Sequence, residues 1–287
     1  EVTPPGALRG MLLEDVAREC GLSPVPVYAV AGHDTASAVA AAPMGEDGAA
    51  YLSSGTWSLL GVEIAAPILT EAVLRAGYTN EGGADGGVRL LKNIMGLWIL
   101  QECRRAWARQ GLNLDFGELA DAAAGEPPFL ALIDVDDPAF LPPGDMPGRV
   151  RDACARTGQT VPDTPARVAR VMCESLAIKY RWAVERLEED ILGRRIPALY
   201  VVGGGSKNRL LNQFTADALN RPVIAGPAEA TAIGNLLMQA RAVGAIRDGA
   251  ELRRVVERSF PTETFLPQNP GAWDRACERF LKLIERG

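Results

Sequence analysis

The stretch IPALYVVGGGSKNRLLNQFTADALNRPVIAG, residues 196–226, restricts the fold more than any other part of the chain. An apolar run of β-type residues ends in three glycines, a helical stretch follows, and a second apolar run closes the unit. Strand, glycine turn, helix and strand in that order point to an α/β fold, and the rest of the chain continues the alternation. Glycines let the backbone reach positive φ and let a ligand come close. The helix start beyond them offers unpaired N–H groups and the positive end of a dipole, both suited to a phosphate. A tight turn alone would use the same residues, but three glycines after a strand put phosphate contact ahead. A dinucleotide site fits less well. Gly203 and Gly205 give G-x-G, but Asn208 stands where a third glycine belongs, and the strand ending at Ala225-Gly226-Pro227 brings no acid to a ribose.

Other elements follow from pattern. Residues 25–31 read as a strand, and 35–42 as a short, tightly packed helix of small residues closed by Pro43. Ala49–Ile64 reads as two strands meeting at Ser54-Gly55-Thr56. TNEGGADGGVRLLKN reads as a glycine-rich loop entering a strand. From Met95, Leu97, Leu100, Cys103/Arg104 and Trp107 recur at helical spacing, with Gly111 as the C-terminal cap. Residues 115–124 make a short helix, and 126–148, rich in Pro and Asp, read as irregular surface. A long helix fits Pro165 to about Leu192, another fits EATAIGNLLMQARAVGAI, and 270–286 form an amphipathic terminal helix.

Composition narrows the function. A net charge of −6 gives no basic patch for nucleic acid. No apolar run approaches the roughly 18 residues of a membrane span, and no signal peptide is visible. One histidine and five scattered cysteines, none in CxxC, leave no zinc constellation and no metal-binding residues to name. The odd, widely spaced cysteines suit a reducing cytoplasm. Cys103 reads as packing. Cys154 and Cys173 bracket a Pro/Gly/Thr loop, but a disulfide between them is the less favoured reading.

Two further segments carry chemistry. In AGHDTASAVAAAP the lone histidine, His33, precedes Asp34 and Thr35 where a strand gives way to a helix. A carboxylate there sits in the field of the helix dipole and can accept a hydroxyl proton. The plain alternative is an N-cap, which spacing alone favours, with His33 a structural histidine. In LSSGTWS, Gly55 frees backbone N–H groups to face an anion and Thr56 adds a hydroxyl, although such turns usually satisfy their own backbone.

Taken in order, GHDTASAV, YLSSGTW, TNEGG with LLKNIMGLW and LQECRR, and VVGGGSKN with LLNQFTADAL and EATAIGN resemble the FGGY carbohydrate kinases, most closely their rhamnulokinase branch, over about residues 25–240. The resemblance implies an actin-like ATPase (ribonuclease-H-like) domain with a mixed sheet flanked by helices. It implies that Asp34 is the general base, that His33, Thr35 and Asn93 line the sugar, and that Gly55, Thr56, Gln101, Gly204, Gly205 and Asn208 surround ATP, with Mg²⁺ as companion. The family's phosphate loop of D-x-G-x-x type, near the start of its first domain, does not open this chain. Residues 1–45 therefore resemble the tail of that first domain and 46–287 the C-terminal ATP-binding domain. The partners implied are ATP, a small sugar and the family's N-terminal domain, in the cytoplasm, with neither nucleic acid nor membrane. L-rhamnulose is the expected ketose. Fuculose or xylulose, or a non-catalytic actin-like nucleotide-binding module, stand as alternatives, the last opposed by the presence of Asp34.

Overall fold

Alternate side chains along the strands enter different cores, and that alternation organises the molecule. The computed structural model describes residues 2–45 and 48–284. In chain order, β1 (Leu8–Met11), α1 (Glu14–Glu19) and β2 (Pro26–Tyr28) make a small antiparallel ribbon with its connecting helix, and α2 (Asp34–Ala40) follows. Next come β3 (Ala50–Ser54), β4 (Trp57–Ile64), α3 (Glu71–Ala76), β5 (Thr79–Gly82) and β6 (Val88–Met95). Four helices follow: α4 (Trp98–Arg109), α5 (Phe116–Ala124), α6 (Met146–Arg156) and α7 (Pro165–Arg186). The chain ends with β7 (Leu199–Val202), α8 (Arg209–Leu219), β8 (Val223–Ala225), α9 (Ala230–Ala242), α10 (Gly249–Ser259), β9 (Glu263–Phe265) and α11 (Pro270–Ile284).

Seven strands form one mixed sheet in the order β5-β6-β4-β3-β7-β8-β9. β7 runs parallel to both neighbours, β3 and β8, and the other pairs are antiparallel. Parallel pairing needs a crossover, which α8 supplies between β7 and β8. Ala50, Leu52, Leu199 and Val201 join the larger core with α7. Tyr51 and Val202 face the other way, into a smaller core with Val39 of α2, Met238 of α9 and Val256 of α10. This is the period-two alternation of a sheet covered on both faces.

The small residues of α2 have a specific use. A Cβ on Gly234 of α9 would overlap the Ser37 carbonyl oxygen of α2, so the two helix backbones touch there. Residues 35–42 are all buried in that crossing, which fixes the helix that begins at Asp34. Gly234→Ala must force the helices apart, and is expected to destabilise the fold by about 1–3 kcal/mol. Thermal denaturation measures it, and an unchanged midpoint would contradict the close crossing.

Several expectations are corrected. The 126–148 segment is irregular but not surface: Ala131, Leu132, Ile133, Val135 and Phe140 are buried. Side chains from elsewhere satisfy its backbone in place of a strand partner. Glu174 accepts from Phe129 N at 2.9 Å, Ser175 Oγ from Ile133 N at 3.0 Å, and Gln159 from Leu132 N at 2.9 Å. Glu174 is itself paired with Arg170 at 2.8 Å, yet burial pushes its carboxyl up to about 7. The same segment ends in the start of α6, announced by Asp145, which accepts from Gly148 N at 3.0 Å, and by Pro147 in the first turn. Thr79–Gly82, read as loop, is strand β5, because its backbone pairs with β6. The strand expected over 25–31 is confined to Pro26–Tyr28.

Other expectations agree. α4 ends at Arg109 with Gly111 at positive φ just beyond, and Cys103 is buried. Cys154 and Cys173 are free thiols. The long helix continues past α7 through a π-helical turn, Leu187–Leu192. Residues 285 and 286 of the expected terminal helix, and the boundary expected between residues 45 and 46, lie at or outside the limits of the described residues. Among the described residues no helix is long and apolar enough to cross a membrane.

Candidate active site

Because β3 and β7 are parallel neighbours, with Ser53 opposite Val202, the turns that follow them leave the sheet at the same edge. In an open α/β sheet that edge is where ligands bind. The turn after β3 is Gly55-Thr56, and the turn after β7 is Gly203-Gly204. The N-terminus of α2 joins them, and all three line one cleft of about 750 Å³. Its walls include His33, Asp34, Thr35, Gly55, Thr56, Asn93 and Gly204. Segments more than 150 residues apart in sequence are thus brought together by strand order and by the packing of α2 on α9.

The three glycines after β7 serve different ends. Gly203 has φ of 83°, and a Cβ there would lie 2.8 Å from the Ser54 carbonyl oxygen, so neither backbone nor space admits another residue. Gly205 is buried, and its Cβ would overlap Ser54 Oγ. Only Gly204 is open: a Cβ there meets nothing within 4 Å and points into unfilled space. It opens a 3₁₀ turn, Gly204–Lys207, that leads into α8. The first N–H groups of such a turn have no intrahelical partner, and an anion fits beside them.

Of the residues expected around a nucleotide, Gly55, Thr56 and Gly204 line the cleft. Gln101 reaches it through Thr56, whose hydroxyl donates to Gln101 Oε1 at 3.2 Å. Gly205 lies beneath the β3–β4 turn rather than on the cleft wall. Asn208 caps α8, its Oδ1 accepting from Leu211 N at 3.0 Å, and does not line the cleft. Asn93 stands on β6 in register with Leu59, exposed to the cleft.

The start of α2 departs from the plain cap expected of Asp34. His33 occupies the N-cap position without a side-chain cap hydrogen bond, and Asp34 is the first helical residue. Asp34 Oδ1 accepts from Thr35 N at 2.8 Å and lies 3.2 Å from His33 Nε2, with the side chain 73% exposed. The carboxylate therefore stands exposed at the cleft, with one oxygen engaged by Thr35 N and His33. The other ring nitrogen of His33, Nδ1, lies 3.1 Å from Glu81 Oε2, and Arg89 donates to that same oxygen at 2.9 Å. Sequence reading missed Glu81 and Arg89, as it missed Trp57 and Thr231, which also line the cleft. Trp57, 46% exposed beside the Ser-Gly-Thr turn, gave a signal in its position. Glu81 gave none, since its partner is 48 residues away.

The space at Gly204 and the hydroxyl of Thr56 fit a nucleoside triphosphate's phosphates. A metal site is another matter: among the described residues no group of three or more His, Cys, Asp or Glu side chains gathers that could hold an ion.

Comparison with known proteins gives concordant results. The profile of the FGGY family of carbohydrate kinases, C-terminal domain, matches residues 50–243. A rhamnulokinase of Bacteroides thetaiotaomicron is 48% identical over 280 residues, which cover 98% of this chain and 57% of that protein. A rhamnulokinase of Enterococcus faecalis is 44% identical over 262 residues, 91% of this chain and 52% of the relative. The chain thus spans about half the length of the curated relatives it matches. Among solved structures, a xylulose kinase from Rhodospirillum rubrum aligns with a TM-score of 0.73 at 18% identity, over 99% of this chain and 56% of that one. Plasmodium falciparum glycerol kinase with ADP aligns with a TM-score of 0.72 at 16% identity, over 100% of this chain and 56% of that one. At such identities the likeness shows the fold alone, that of an actin-like ATPase.

Proposed function

This chain belongs to the FGGY family of carbohydrate kinases, whose C-terminal domain it carries, and on that footing we propose that it is the nucleotide-binding part of an ATP-dependent ketose kinase. The reaction is transfer of the γ-phosphoryl group to L-rhamnulose, giving L-rhamnulose 1-phosphate and ADP. The choice of sugar rests on the rhamnulokinase relatives at 42–48% identity. The observation that carries the chemistry is the single cleft that holds Asp34, Thr56 and Gly204 together.

ATP supplies the phosphoryl group, and little covalent chemistry is then left to the protein beyond positioning and charge stabilisation. Asp34, exposed at the cleft with one carboxylate oxygen held by Thr35 N, takes the proton of the sugar's primary hydroxyl as that oxygen attacks. His33, Thr35 and Asn93 hold the sugar against it. The backbone at Gly204 directs donors at the phosphates. The Thr56 hydroxyl, held by Gln101 Oε1 beforehand, turns its proton to a phosphate oxygen when ATP binds, while Gly55, whose N–H already donates to Trp57 O at 2.9 Å, shapes the turn. Such donors act where charge develops. Gly205 and Asn208 contribute indirectly, by setting the turn and capping the helix beneath the nucleotide. Mg²⁺ accompanies ATP in this proposal, but no step is assigned to it, since the described residues gather no metal site.

The N-terminal domain of the relatives is proposed to complete the cleft, with the first 45 residues of this chain belonging to it, and the cytoplasm is the proposed setting. A purely nucleotide-binding module would have no use for an exposed carboxylate at this place. The substrate is tested on a protein that also carries the N-terminal domain, by ADP release with a panel of ketoses. L-rhamnulose is expected to give the highest kcat/KM. A higher value for fuculose or xylulose would keep the chemistry and reject the sugar.

A further inference from the structure

Behind the proposed base lies a chain of contacts that none of the assigned roles uses. Glu81 and Arg89 stand directly opposite each other in the β5–β6 hairpin. Arg89 is 1% exposed, donates through Nε to Gly82 O at 3.1 Å and through one terminal nitrogen to Glu81 Oε2 at 2.9 Å. Glu63 faces Arg89 across the β4–β6 pair but is engaged by Arg253. Tyr51, also buried, adds a hydroxyl to this neighbourhood and no opposing charge. Glu81 is thus the carboxylate that balances the buried guanidinium. The oxygen so fixed is the one that meets His33 Nδ1 at 3.1 Å, while His33 Nε2 faces Asp34 at 3.2 Å.

We infer that Glu81, anchored by Arg89, is a positioning residue that keeps the His33 ring proton on Nδ1 and turns Nε2 toward Asp34. An ionised carboxylate only accepts, so Glu81 and Asp34 compete for the single N–H of a neutral ring. Glu81, fixed by Arg89 and 29% exposed, holds it on Nδ1, whereas Asp34, 73% exposed, has water in its place. Which nitrogen of a neutral imidazole carries the proton is set by the bond the other makes. With Nδ1 protonated, Nε2 of the neutral ring presents a lone pair to Asp34. It does not donate to the carboxylate, and so does not stabilise the ionised form and weaken it as a base. Once Asp34 has taken the sugar hydroxyl proton, its new O–H has an acceptor at Nε2. The sugar O–H bond breaks, the Asp34 O–H bond forms, and a hydrogen bond to His33 appears only then. Interactions that form only as the reaction proceeds are the ones that raise kcat. This inference rests on Asp34 being the base.

The chain has one histidine, so its ring ¹⁵N resonances are unambiguous. In the 287-residue protein, at a pH where the ring is neutral, the wild type is expected to show mainly the Nδ1–H form. Glu81→Gln keeps the shared acceptor oxygen and should preserve that form. Glu81→Met removes the acceptor and should shift the ring to Nε2–H. The double variant Glu81→Met/Arg89→Met guards against an orphaned buried charge, since apolar replacement of a buried pair is often tolerated, and should show the same shift. In a protein with the N-terminal domain present, Glu81→Met/Arg89→Met is expected to lower kcat about 10- to 100-fold with the KM for ATP unchanged. A wild-type ring mainly in the Nε2–H form, or a folded double variant with wild-type tautomer and kcat, would overturn the inference. Asp34→Asn separates it from the base reading: a silent Asp34→Asn rejects the base, whereas the wild-type ¹⁵N spectrum judges Glu81 with no turnover involved.

Discussion

Asp34→Asn is expected to lower kcat on L-rhamnulose by about 10²- to 10⁴-fold, the usual cost of losing a general base, in a protein that carries the N-terminal domain. The change separates a proton acceptor from a structural carboxylate. Asparagine keeps the side chain's size and still offers an oxygen to Thr35 N, the bond that Asp34 makes at 2.8 Å. The helix it begins is held by its packing on α9 rather than by this residue, so thermal stability should stay as it was. ATP affinity should also hold, because the proposal assigns the carboxylate to the sugar and not to the phosphates. A folded, ATP-binding Asp34→Asn protein with near-normal kcat would place the base elsewhere.

Gly204→Val is expected to reduce ATP affinity about 100-fold or more, roughly 2.7 kcal/mol, and to leave the fold intact. Neither expectation would hold for a neighbouring glycine. A side chain at Gly204 meets nothing within 4 Å and enters the space assigned to the phosphates, so it obstructs the ligand and not the protein. At Gly205 the Cβ would collide with Ser54, and the same substitution should lower the melting temperature first. Calorimetric titration with ATP, with thermal melts on the same samples, distinguishes the two. Unchanged affinity in a stable Gly204→Val protein would remove the glycine turn from the nucleotide site.

The contrast between these glycines shows where the sequence was legible. VVGGGSKN announced a strand and a glycine turn, because those properties reside in consecutive residues. The run of small residues after His33 likewise announced a tightly packed helix. Which glycine has open space beside it was not legible from spacing, since it depends on Ser54, which lies about 150 positions away and packs under Gly203 and Gly205. The same holds for Gly234, whose reason for being glycine is the Ser37 carbonyl on another helix. Residues 131–135, ALIDV, are apolar in themselves and read as surface only because the segment around them is rich in Pro and Asp. They are buried because Ser175 of α7 and Gln159, just before it, supply the hydrogen bonds a strand partner would otherwise give. Glu81 was invisible for the same cause: a carboxylate in a glycine-rich hairpin reads as solvated until the fold sets it against His33 and a buried arginine. Properties carried by neighbours in sequence could be read, and those carried by pairs across the sheet could not.

ATP binding and sugar-dependent ADP release, measured together on the 287-residue chain, test most directly the claim that it is the nucleotide-binding part of a ketose kinase. The chain is expected to bind ATP in the cleft between Thr56 and Gly204, and to release no ADP with L-rhamnulose until the N-terminal domain is supplied, because one wall of the site cannot exclude water or orient both substrates. A folded chain that binds no ATP would contradict the account at its centre, and robust turnover by the chain alone would contradict the division of the site between two domains.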